Sequence, residues 1–98
     1  MKHVDAAGLA LSGATDDSLA HYETSAHQLR CYIGDPVASV DAALAAAPRM
    51  VMAHALKGYL HLLGTEPAGL PVARECYEAA TGLPANERER GHLDAVRL

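Results

Sequence analysis

Residues 34–48 read "GDPVASVDAALAAAP", and this stretch decides the fold. Gly34 takes the left-handed conformation that ends a helix. Asp35 is an N-cap, accepting from the free N–H groups of a new helix, and Pro36 suits its first position. Val37, Val40, Leu44 and Ala47 then make one apolar stripe, and Pro48 stops it. Only Asp35 separates the stop from the restart, so the two helices fold back as an antiparallel hairpin.

The same punctuation recurs outward. Upstream, "TDDSLAHYETSAHQLRCYIG" (15–34) reads as a helix capped by Thr15 or Asp16, with Asp16 and Asp17 at the positive end of the dipole. Its inward face is Leu19, Tyr22, Ala26, Leu29 and Ile33. Downstream, "MVMAHALKGYLHLLG" (50–64) has Met52 or Ala53, Leu56, Leu60 and Leu63 inward and Gly64 as its stop. "LPVARECYEAATG" (70–82) follows, with Ala73, Tyr77 and Ala80 inward and Gly82 as its stop. In "NERERGHLDAVRL" (86–98), Asn86 and Glu89 have capping-box spacing. Leu93 and Val96 begin a stripe there, with Leu98 off it. Residues 1–14 show no sustained period and are expected to be an irregular arm.

Composition agrees with close-packed helices. The 98 residues include 20 Ala, four Tyr and no Phe or Trp, so few side chains can fill a wide space between elements. One domain at most is expected, with a small core. The net charge of −4 comes from interspersed signs without a basic stripe, which excludes the electrostatic footprint of a nucleic-acid binder. No apolar run approaches the ~20 residues that span a bilayer, so no membrane partner is expected. The two cysteines, Cys31 and Cys76, suggest a reduced, cytoplasmic setting.

An internal period is present. Ala73, Tyr77 and Ala80 stand 37 residues after Pro36, Val40 and Ala43, with Pro48 and Pro84 closing the two units. The pattern resembles the second helix of the tetratricopeptide repeat, and Gly58 sits where that repeat's first helix prefers Gly. Pro36 in place of Ala and the early Pro84 depart from it. The order "ALSGA", "YIGDPVASVDAAL", "AHALKGYLHLLGT" and "ERERGH" is similar to the N-terminal part of the tetratricopeptide repeat protein 38-like family, over nearly the whole chain. The resemblance implies an all-α fold: hairpins stacked as a short right-handed α-solenoid over residues 15–98, about five helices, the last unpaired. It implies no assigned reaction and supplies little function; the concave face that stacked hairpins make points to a protein-association module.

Stacked repeats bury their faces only against neighbours. The expectation is therefore a piece of a longer protein, or a small subunit whose open end is covered by a protein partner or by self-association through the C-terminal helix. The candidate partner-binding residues are His54, Tyr59, His61, Glu89, Arg90, His92, Leu93 and Val96, with His21 and Gln28 on the first helix.

Chemistry is sparsely signalled. The six histidines lack metal spacing. His21 and His27 lie about 120° apart on their helix, and His54 and His61 about 10 Å apart along theirs. Glu75 and Glu78 beside Arg74 read as a solvated face. His27 and Cys31 share a face but lack the third group of a nucleophilic site. No cofactor, metal or catalytic residue is expected. The alternative is a subunit or fragment of an enzyme complex whose catalytic groups lie mainly elsewhere.

Overall fold

A computed structural model describes residues 3–4, 10–31, 34–63 and 69–96. Among the described residues five helices carry the fold: α1 (Asp16–Cys31), α2 (Pro36–Ala46), α3 (Val51–Leu63), α4 (Gly69–Thr81) and α5 (Glu87–Val96). The most extensive contacts join α1 to α2 and α3 to α4, and α2 packs on α3.

The helix ends follow their sequence signals. Thr15 caps α1 by accepting from the Ser18 amide (3.2 Å), and Ser18 Oγ accepts from the Thr15 amide (2.8 Å). Gly34 has φ +66°, the left-handed stop. Asp35 caps α2, its Oδ1 accepting from the Ala38 amide at 3.0 Å, with Pro36 as the first helical residue. Asn86 and Glu89 form the reciprocal capping box of α5, at 2.9 and 3.0 Å.

Gly82 follows α4 as expected but lacks a positive φ. The Leu83 amide instead donates to the Ala80 carbonyl at 3.0 Å, a tight turn that satisfies the chain end without a left-handed residue. Gly64, Ile33 and Leu98, assigned above to a stop, a face and a terminus, lie outside the described residues.

The N-terminal arm is not wholly irregular. β1 (His3–Val4) pairs antiparallel with β2 (Ala10–Leu11), in register His3↔Leu11 and Val4↔Ala10. Leu11 is buried, and the Ser12 carbonyl accepts from the Val51 amide at 3.3 Å. At Gly13, φ is +75° and a Cβ would collide with the Arg49 carbonyl, so the arm lies directly on the α2–α3 turn. Two paired residues per strand leave no readable period, which is why the sequence pattern missed this ladder.

α3 is the central helix. It buries Val51, Met52, Ala53, Ala55, Leu56, Gly58 and Leu60, a wider arc than the single face expected. Three neighbours cause this: α2, α4 and α5 all contact it. Leu63 is a correction. It is 66% exposed rather than inward, although the same last turn of α3 meets α4, whose Gly69 lies against the His61 carbonyl.

The expected uncovered stripe on α5 is also corrected. Leu93 and Val96 are 3% and 2% exposed within the single chain. α5 lacks a hairpin partner among the described residues, yet it lies against both α3 and α4. Gly58 makes this approach feasible, since a Cβ there would stand 2.7 Å from Val96 Cγ1.

Candidate functional site

The eight candidate residues separate into three groups. Glu89, Leu93 and Val96 are buried. Glu89 Oε2 accepts from the Ser12 amide at 2.9 Å while Oε1 accepts from the Asn86 amide, so this carboxylate fastens the N-terminal arm to α5. Arg88 and Asn86 add donors to the Ala10 carbonyl, at 2.8 and 3.2 Å. The "ERERGH" stretch is thus largely an internal tether.

Tyr59 and His92 form the second group. The Tyr59 hydroxyl stands 2.9 Å from His92 Nδ1 and 3.3 Å from the His92 carbonyl, and the rings meet edge to face at 5.8 Å. Partial burial raises the Tyr59 pKa above its ordinary 10.0. The pair joins α3 to α5, with both residues half-buried.

His54, His61 and Arg90 make the third group. His54 is half-buried, and its Nε2–H donates to the Pro48 carbonyl at 2.7 Å. His61 is half-buried at the end of α3, and Arg90 is exposed on α5. On α1, His21 is exposed, while Gln28 Oε1 accepts from Ser39 Oγ at 2.7 Å. The structure does not bring the eight residues together on one surface.

A small cleft between α2, α3 and α4 is lined in part by His54, Lys57, Glu75 and Cys76 and encloses about 180 Å³. Its chemistry is quiet. Lys57 Nζ pairs with Asp41 Oδ1 at 2.8 Å. That bond raises the lysine pKa above 10.5, outweighing partial burial. Burial pushes the Cys76 thiol above its ordinary 9.0, although the Lys57 charge draws it back in part. A thiol held protonated is a poor nucleophile, and a lysine held protonated is a poor base. Cys31 is exposed, with its sulfur 3.9 Å from the His27 ring nitrogens. Among the described residues, no three His, Cys, Asp or Glu side chains cluster to hold a metal ion. No helix among them is long and apolar enough to cross a membrane.

The larger concavity is a groove of about 330 Å³ between α4 and the C-terminal ends of α3 and α5. Leu62, Leu70, Ala73, Tyr77 and Val96 give it an apolar lining, flanked by Arg74 and Glu78. Leu70, at its mouth, is 55% exposed. Sequence reading placed none of these as a site except Val96. One signal was available: adjacent Leu62 and Leu63 cannot both lie on the stripe of Leu56 and Leu60, so at least one had to face outward.

Comparisons with known proteins give no match to a family model, a curated protein or a solved structure.

Proposed function

We propose that this chain is a tetratricopeptide-like association module, and that its docking face is the groove between α4 and the end of α5. The apolar groove carries this reading. A concave surface with apolar lining and a few charges at its edge suits the apolar side of a helix from another polypeptide. Leu70, at the groove's mouth, is a large apolar side chain left 55% exposed, and a docked helix would recover part of the roughly 1.5–3 kcal/mol that full burial of such a side chain is worth. The paired contacts of α1 with α2 and α3 with α4, and the close passage of α5 over Gly58, support the hairpin-repeat arrangement.

The placement of α5 relocates the docking face. With Leu93 and Val96 buried on α3 and α4, α5 has little apolar surface to offer along its own stripe. The exposed row of α4 that borders the groove, Leu70, Arg74 and Glu78, takes that role.

Site-specific photo-crosslinking tests this. A photoreactive residue at position 70 should yield a discrete cross-linked polypeptide in the expressing cell, and one at exposed position 20 on α1 should not. Equal, diffuse labelling from both positions would overturn the proposal.

A further inference from the structure

Leu70, Arg74 and Glu78 stand four residues apart, so they form one row along α4, with about 6 Å between successive positions. All three are exposed, and all three line the groove. Among the described residues, neither Arg74 nor Glu78 makes an ion pair within the chain. The groove therefore presents one positive and one negative charge, about one helical turn apart, beside an apolar lining.

A helix laid along this row needs a carboxylate opposite Arg74 and a cation opposite Glu78. α4 itself carries that pattern. When a second α4 lies antiparallel across the first, about a two-fold axis midway between residues 74 and 78, Arg74 of each copy meets the partner's Glu78. Both charges are then satisfied by one symmetric arrangement, the isologous geometry of a two-fold dimer. The exposed Leu70 of each copy falls toward the far end of the other α4. There Gly82 has open space where a side chain would stand, so room exists for it.

We propose that the occupant of the groove is a second copy of this chain, α4 against α4, with reciprocal Arg74–Glu78 pairing. This rests on the association reading above and names the partner for it. The pairs are solvent-accessible, so they set register and partner choice more than strength, and the dimer weakens as salt rises.

The test is sedimentation equilibrium on purified wild-type chain and charge variants, with circular dichroism to verify folding. The wild type should dimerise. Arg74→Glu places two carboxylates opposite each other twice, and Glu78→Arg does the same with cations, so each alone should raise the dissociation constant about tenfold or more. An equimolar mixture of the two variants should recover association, because each supplies what the other lacks. The double variant Arg74→Glu/Glu78→Arg should also dimerise. A wild type that stays monomeric at millimolar concentration would overturn the inference, as would single variants that dimerise like the wild type. If the purified chain is monomeric but position 70 cross-links to a different polypeptide, the second-copy inference falls and the association reading stands. If position 70 cross-links to nothing, both fall.

Discussion

Val96 Cγ1 stands 2.7 Å from the point that a Cβ on Gly58 would occupy, and Val96 Cγ2 stands 3.3 Å from it. α5 lies on α3 at a distance that only glycine at position 58 permits. Gly58→Ala therefore sets two effects against each other. Helix propensity gains about 1 kcal/mol, while overpacking against a stiff β-branched side chain costs about 1–3 kcal/mol. The clash should win, lowering stability by up to about 2 kcal/mol in urea unfolding. In a Val96→Ala background the nearest remaining atom, the residue 96 Cβ, is at an ordinary 3.6 Å. The same Gly58→Ala change should then be neutral or stabilising by up to ~1 kcal/mol. A destabilisation of equal size in both backgrounds would show that the α3–α5 contact is placed wrongly.

Glu89 joins two distant parts of the chain, so its removal should loosen both. Glu89→Ala deletes the acceptor of the Ser12 and Asn86 amides and should cost about 2–4 kcal/mol. Hydrogen exchange at the Ser12 amide should quicken by more than at α2 amides. Glu89→Gln keeps one acceptor and should fall between. Unchanged exchange at Ser12 would argue against the tether.

Asp35→Ala removes the side-chain cap of α2 and should cost about 0.5–2 kcal/mol. Denaturation midpoints of the two proteins measure it, and identical midpoints would contradict the cap.

The alkaline limit of stability should begin near pH 9. Cys76, Tyr59 and Lys57 all have folded-state pKa values above their ordinary 9.0, 10.0 and 10.5. Between each ordinary value and its raised one, the folded chain holds a proton that the unfolded chain has released. Stability is therefore fully present below the ordinary value and is lost as pH rises through the folded one. Lys57 contributes modestly, since its pair with Asp41 is open to solvent. Urea midpoints across about pH 7–11 should fall from pH 9, and Cys76→Ala should move the onset toward pH 10. A flat profile through pH 10 would contradict the burial of these groups.

Much of the helical skeleton was legible because its ends carry local chemistry. The Gly34–Asp35–Pro36 order and the Asn86–Glu89 box act within one turn, so sequence spacing reports them directly. The interior was less legible. A single inward face was assigned to α3, but three neighbours bury it over most of its circumference, and only tertiary contact sets that number. Ser18 and Ser25 are fully buried, which a polar residue type hides; Ser25 Oγ donates to the Pro36 carbonyl at 2.6 Å across the first hairpin. The groove leaves no sequence pattern because Leu62 and Leu70 belong to different helices and line one surface only when α3 and α4 fold back. The stripe on α5 reads as uncovered in the sequence because the close approach that Gly58 allows is a tertiary contact with no local signal.

The central claim is that the α4 groove is an association face, and native mass spectrometry of the chain against Leu70→Glu tests it most directly. Leu70 is exposed and lies in the first turn of α4, where a carboxylate suits the helix dipole, so the substitution should leave the fold and the melting temperature intact. The account predicts that wild-type chain is recovered with a further polypeptide, a second copy or another protein, and that Leu70→Glu is recovered as a folded monomer. Recovery of both proteins as the same species, with equal melting temperatures, would contradict it.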